Sequence, residues 1–533
     1  MHTFIHFALL ICFSHCSIAY ALQDPPHYKR QKPYRESSYL YFNEVIEPEL
    51  DTKEFETPKD KERYLELIDQ VVRTGALYGN PFERSGWGIH SIYPELLSLD
   101  PKPPLYIQYR YHSSQPNQHG PSRDYLSHGN AMLNVASAME KANYPKYIIA
   151  AAWLRAAEFL EVAAEHEDRN IIRYAREVGM ELLVEAASLH DTKPQYQEAI
   201  AFRIASYGIE YNTLSTDEKE QLCDMLFQDP DVDEWIENFT MGTFQIKLAW
   251  EDRGNGLANS VSESQWVKFQ SHLKEAHEYL TKAWEIRSYW PAAPNNLISA
   301  TMGYQADPDR DASFWFQQAI NARVDDTQTY SIFGNAISPI WGGTLTNLFA
   351  LLDYTVELSD QYDEMGPVML AALGAASRST GSPNRVLKNK KYVKPITREF
   401  LKHLDTVYEF ESIPHRNKAL RTLAYANFAN KYYTEASTLL AAGGAQAQSL
   451  LEIWSDDPRF YDLAPLLASA ASQQVIIALK AIDEKDPAKA IQAFSDAKQT
   501  LLESTKNNSQ PSSKELINTI DHTIKKLQEG QAP

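Results

Sequence analysis

Apolar residues recur three and four positions apart along nearly the whole chain from about residue 120 onward, and runs of alternating β-branched residues are scarce. Three- and four-residue spacing stacks side chains on one face of an α-helix, whereas strict alternation would mark strands. The pattern predicts an all-α protein. Residues 22–120 read differently, being rich in Pro, Tyr and polar residues around one clear amphipathic stretch, KDKERYLELIDQVV, Lys59 to Val72. The expectation there is loops around that single helix. Polar, proline-bearing segments place the boundaries. STGSPNRVLKNKKYVKP, Ser379 to Pro395, is expected to separate a central helical domain, 131–380, from a C-terminal one, 396–533, behind a loop-rich N-terminal region, 22–130.

Within the helices a small-large-small stripe, Ala-x3-large-x2-Ala, recurs: Ala156, Leu160, Ala163; Ala276, Leu280, Ala283; Ala312, Phe316, Ala319; Ala490, Phe494, Ala497; and, ending in Gly, Ala436, Leu440, Gly443. Positions i, i+4 and i+7 share a helix face, where small residues let a partner helix approach and the large one fills its groove. The stripe resembles the second helix of tetratricopeptide repeats. The family's first helix places Leu-Gly/Ala thirteen and twelve residues earlier, matched by Leu423 and Ala424, by Ile477 and Ala478, and by Ser299 and Ala300. The first Ala residues lie 36, 124 and 54 apart from Ala276 onward, not at the family's constant period. The resemblance implies irregular α/α hairpin repeats, a tetratricopeptide-like solenoid, from Pro145 to the C-terminus.

A second resemblance lies in the middle of the chain. AWEDRGNG, Ala249 to Gly256, then SQWVKF, ASFWFQQAINAR and SPIWGGT, is similar in order and spacing to a group of uncharacterised bacterial tetratricopeptide-like proteins with a Trp-Gly-Gly corner. This chain has Ile340 where the group has Arg, and Thr344 where it has Ser. No activity comes with the resemblance.

Composition narrows the compartment and the partners. Hydrophobic residues make up 44% and charged residues 23%, values of an ordinary globular protein. Met1 to Ala21 joins a mostly apolar run to Ala19-Tyr20-Ala21, the small-x-small pattern of a secretory signal, although its n-region has no Lys or Arg. Export is expected, to a secreted or periplasmic location, without stable membrane insertion once the signal is cleaved. Cleavage would leave Cys223 as the single cysteine, on the apolar stripe of EKEQLCDMLF, where a buried inert thiol is expected. The net charge of −19 repels phosphate backbones and argues against nucleic-acid binding. The local exception is RVLKNKKYVKPITR, Arg385 to Arg398, read as a solvated segment or an acidic-partner site.

Candidate chemistry is sparse. Asp307, Asp309 and Asp311 mimic the start of a calcium loop, but Ala312 and Gln318 stand where it needs Gly and Glu, so helix capping accounts for them. Arg253-Gly254-Asn255-Gly256 resembles a phosphate turn without completing one, and reads as a helix stop, with Arg253 paired to Glu251 or Asp252 or held for a ligand. Ser262 and Gln265 form a capping box. His90, His112, His119 and His128 fit no zinc spacing, and HExxH, GxSxG and Walker patterns are absent from the sequence. Asn238-Phe239-Thr240 and Asn507-Asn508-Ser509 match glycosylation acceptors. No cofactor, metal site or catalytic residue is assigned.

The chain holds 10 Trp, seven of them from Trp235 to Trp341, which fill a core or line a groove. Arg253, Asn255, Trp266, Trp315 and Trp341 are the candidate binding residues. The expected function is an exported helical-repeat scaffold that holds a peptide or partner protein on a concave surface. The alternative is an extracytoplasmic glycan-active enzyme with an aromatic cleft and a carboxylate pair. In SPIWGGT, Pro339 is expected to stop the incoming segment, Gly342 and Gly343 to take positive φ, Thr344 to cap the next helix, and Trp341 to plug the gap between hairpins.

Overall fold

The computed structural model describes residues 50, 55–76, 87–113, 125–163, 169–188, 197, 200, 201, 203–210, 213–254, 256, 260–304, 307–362, 365–381, 386, 389–402, 413–448, 458–505 and 511–530. The expected signal segment, 1–21, lies outside them, as do His119, Asn255 and Asn507. Every regular element among the described residues is helical, and most helices pack against their neighbours in the chain. The fold is an all-α array of consecutively paired helices.

The chain divides into two compact units, one of residues 1–347 with 408–413, the other of 348–407 with 414–533, so the expected Ser379–Pro395 linker falls inside the second unit. The first unit holds α1 (Pro58–Ala76), α2 (Trp87–Leu99), α3 (Leu105–Ser113), α4 (Tyr125–Lys141), α5 (Lys146–Ala163), α6 (Arg169–Ala187), α7 (Thr216–Gln228), α8 (Glu234–Arg253), α9 (Glu263–Ile286), α10 (Ala292–Thr301), α11 (Ala312–Ala322) and α12 (Thr327–Ala336). α1 is the helix expected from the Lys59–Val72 pattern. α2 and α3 are helices where the sequence suggested loop: α2 keeps Pro94 within its length, while the prolines next to α3 sit ahead of its first turn, where a missing amide costs nothing. Pro103 and Pro104 precede α3, and the Pro104 carbonyl accepts from the Ile107 and Gln108 amides at 2.9 and 3.1 Å. α2 buries Ile89, Tyr93 and Leu96, and Tyr93 stacks on Tyr111 of α3 at 3.8 Å.

The small-large-small stripes mark the packing faces, with Ala163 and Ala312 half-buried at their ends. Ala276, Leu280 and Ala283 are fully buried, as are Phe316 with Ala319 and, in the second unit, Ala490, Phe494 and Ala497. In two pairs the large residue enters a glycine notch on the preceding helix. A Cβ on Gly129 of α4 would stand 2.8 Å from Leu160 of α5, and one on Gly242 of α8 would stand 2.5 Å from Leu280 of α9. Only a residue without a side chain admits so close an approach. The first-helix positions are met unevenly: Leu423, Ala424, Ala300 and Ala478 are buried, but Ile477 is 48% exposed while Val475, Ile476 and Leu479 face inward.

The second unit contains α13 (Leu345–Leu358), whose first turn belongs to the first unit, then α14 (Gly366–Thr380), α15 (Lys390–Lys402), α16 (Ile413–Ala429), α17 (Tyr433–Gln448), α18 (Pro458–Leu467), α19 (Ser472–Asp483), α20 (Pro487–Thr505) and α21 (Pro511–Gln528). α15 carries most of the basic run, and the unit absorbs its charge: Lys391 pairs with Asp353 at 2.6 Å, Arg398 with Asp360 at 3.2 Å, and Lys394 lies 4.7 Å over the Tyr432 ring. Asn427 of α16 donates to Thr397 of α15 at 2.7 Å. Among the described residues no helix is long and apolar enough to cross a membrane.

Candidate functional site

The site grows from the end of α8. Asp233 caps its start by accepting from the Trp235 and Ile236 amides. Gly254 ends it at φ 71°, a conformation that glycine adopts without a Cβ clash, and donates its amide to the Trp250 carbonyl at 3.0 Å. The expected capping box then starts α9: Ser262 Oγ accepts from the Gln265 amide at 3.3 Å and the Gln265 side chain accepts from the Ser262 amide at 3.0 Å. Gln265 also donates to the Asp252 carbonyl at 3.1 Å, satisfying one of the carbonyls left open at the end of α8. Gly242 facing Leu280 and Trp250 facing Phe269 make the two helices antiparallel, which sets Trp250, Arg253 and Trp266 together at one end of the pair.

The SPIWGGT corner completes this end. Pro339–Trp341 forms one 3-10 turn, closed by the Trp341 and Gly343 amides donating to the Ser338 carbonyl at 3.0 Å each. Gly342 has φ 87°, as expected, but Gly343 is glycine for another reason: a Cβ there would lie 1.8 Å from the Ile337 carbonyl oxygen. Thr344 Oγ1 accepts from the Asn347 amide at 3.2 Å and so caps α13. Trp341 meets Trp250 edge-on at 5.3 Å, while its neighbour Ile340 is 80% exposed.

Arg253 sits among three indoles. Its guanidinium carbon lies 5.6 Å from the Trp250 ring, 5.7 Å from Trp266 and 5.3 Å from Trp341. Each such contact contributes about 0.5–1 kcal/mol where water has access. Nη1 donates to the Gly254 and Gly256 carbonyls at 3.0 and 3.2 Å. Nε is buried without an acceptor. The ion pair to Glu251 or Asp252 considered from the sequence does not form. Glu251 pairs with Lys247 at 3.4 Å, and Asp252 lies 3.6 Å from Lys268 and 3.3 Å from His272 Nε2. Beneath the cage lies a core of Ala249, Phe269, Leu273 and Ala300, on which Trp250 and Trp266 pack.

Of the candidate residues, Arg253, Trp266 and Trp341 converge, Asn255 lies outside the described residues, and Trp315 belongs elsewhere. Trp315 is fully buried, edge-on to Trp284 at 5.3 Å and 6.0 Å from the His277 ring. Burial holds the His277 imidazole below its ordinary value, with a smaller push from Arg310. Trp250 and Ile340 were missed. Trp250 stands one turn before Arg253 on the same helix face, a signal the sequence did contain.

The other motifs are structural. Asp311 caps α11, accepting from the Ser313 and Phe314 amides at 2.9 Å. Cys223 is buried and its thiol is pushed up to about 12, first by desolvation and then by Asp224 and Glu220. Asn238 of the first glycosylation acceptor is buried inside α8 and donates to the Glu234 carbonyl at 2.7 Å, out of reach of a glycan in the folded chain. No group of His, Cys, Asp or Glu among the described residues is arranged to hold a metal ion.

Fold and site together define an all-α helical-array protein with an arginine held in a tryptophan cage at the end of one helix pair. Comparison with known protein families and with known proteins gives no match.

Proposed function

We propose that this chain is an exported binding or scaffolding protein of tetratricopeptide-like hairpins, and that it holds a peptide or partner protein at the Arg253 end of the α8–α9 pair. The observation that carries the reading is the cage itself. Partly exposed indoles, an adjoining Ile340 that is 80% exposed and a fixed cation occupy one helix-pair end. Aromatic and arginine side chains of this kind are the usual anchors of interfaces. The carboxylates beside Arg253 in sequence, Glu251 and Asp252, are engaged with Lys247, Lys268 and His272, so the indoles surround a cation, which favours binding over glycan hydrolysis.

The test uses the mature chain as bait in its own exported fraction, beside Trp341→Ala and Ile340→Asp. A partner retained at stoichiometric yield by the wild type and lost at least tenfold by both variants supports the reading. Equal retention by all three would move the binding surface elsewhere, and glycan degradation without any captured partner would replace the reading with an enzymatic one. Export is tested separately by N-terminal sequencing of the exported chain, with Leu22 expected as the first residue.

A further inference from the structure

Arg253 is held by indoles and backbone carbonyls. Among the described residues it makes no ion pair, and the two carboxylates beside it in sequence are committed to other partners. Its backbone bonds use Nη1 alone. Among the described residues the opposite edge of the fork, Nε with Nη2, makes no hydrogen bond, and Nε is buried. A guanidinium edge of that kind matches the two oxygens of a carboxylate, forming paired charge-assisted hydrogen bonds. The cost of ordering the cation has been met in folding, because three indoles and two carbonyls hold it in place. Next to it, Trp341 and the exposed Ile340 offer an apolar wall.

We infer that the cage is a carboxylate-binding site, and that it takes a peptide segment in which a carboxylate stands beside a large apolar side chain. The inference rests on the binding reading above and narrows it to one chemistry. The carboxylate forms the fork with the Nε–Nη2 edge, and the apolar side chain covers Ile340 and the indole of Trp341. Two sources share that chemistry, a free chain terminus and an internal Glu. The chain's charge of −19 works against any anionic ligand at long range, so recognition falls to the local fork and weakens little with added salt.

Calorimetric titration of the full mature chain decides it. The probes are acetyl-Gly-Ala-Leu-Phe with a free carboxylate, the same peptide as its C-terminal amide, and acetyl-Gly-Glu-Leu-Phe amide. The expected result is binding of the free acid about tenfold or more tighter than its amide, equivalent to about 1.4 kcal/mol or more. Binding of the Glu peptide would extend the site to internal carboxylates, whereas its failure would restrict it to chain termini. Arg253→Gln is expected to abolish the preference for the acid. Arg253→Lys, which keeps the charge and loses the fork, is expected to weaken binding several-fold. Ile340→Asp, at a position too exposed to disturb folding, is expected to repel the acid while the protein keeps its helical circular dichroism.

Equal binding of acid and amide, unchanged in Arg253→Gln, would overturn the carboxylate assignment and leave the binding reading standing. No binding of any of the three peptides would also overturn it, and the capture experiment would then judge the broader reading alone.

Discussion

At the scale of single residues, the features that were legible in the sequence are those whose partners lie within a turn. Ser262 and Gln265 cap α9, Asp311 caps α11 and Thr344 caps α13, because a cap needs only its own backbone three residues on. Gly343 was misread since its constraint is the Ile337 carbonyl, a steric neighbour that composition does not display. The Arg253 cage was legible only in part. Trp341 comes from a corner some ninety residues away, a pairing that α-helical periodicity cannot encode. His277 carries a testable consequence at this scale. The charged groups around it are Arg310, Glu278 and Asp307, and burial holds the folded imidazole below its ordinary value near 6.5. The unfolded chain therefore binds the proton more tightly. Its contribution to stability is complete above about pH 6.5 and is lost as the pH falls below that value. Urea midpoints at pH 7.5 and 5.5 are expected to differ less in His277→Gln than in the wild type. An equal difference in both proteins would assign the pH response to other groups.

At the scale of elements, the stripe of small and large residues marked the packing faces correctly because packing against a neighbour is what selects it. Ala276, Leu280 and Ala283 are all buried. The first helices of the pairs were less readable: Ile477 stands at the same position of the repeat pattern as the buried Leu423, yet it is 48% exposed, because α19 turns Val475, Ile476 and Leu479 to its neighbours instead. The notch between α8 and α9 gives a direct test. Leu280→Ala is expected to cost about 2–5 kcal/mol through lost burial and a cavity. Gly242→Ala alone is expected to be destabilising, since its Cβ would stand 2.5 Å from Leu280. The double variant should recover part of the loss, with a coupling of about 1–3 kcal/mol in a denaturation cycle. Simple additivity would mean that the two residues do not share the contact.

At the scale of the molecule, helical class followed from periodicity, but the division did not follow from the linker-like stretch. Ser379–Pro395 is polar and basic, and Lys391, Arg398 and Lys394 find Asp353, Asp360 and Tyr432 within one unit, so the charges that suggested a solvated linker are structural. Each unit encloses its own buried core, for example Phe269, Leu273 and Leu280 in the first, and Phe494, Val475 and Leu467 in the second. Scanning calorimetry is accordingly expected to resolve more than one transition, or a calorimetric enthalpy larger than the van't Hoff value. A single transition with matching enthalpies would show that the two units fold as one.

The glycine notch also restricts how the cage can move. Sliding α9 by one turn along α8, about 5.4 Å, would carry Leu280 from Gly242 onto Asn238 or Ile246, where a side chain already fills the space. The pair therefore resists shear and travels as a single lever. Trp250 and Arg253 on one arm and Trp266 on the other are thereby kept in register, and Trp341 meets them from a separate corner.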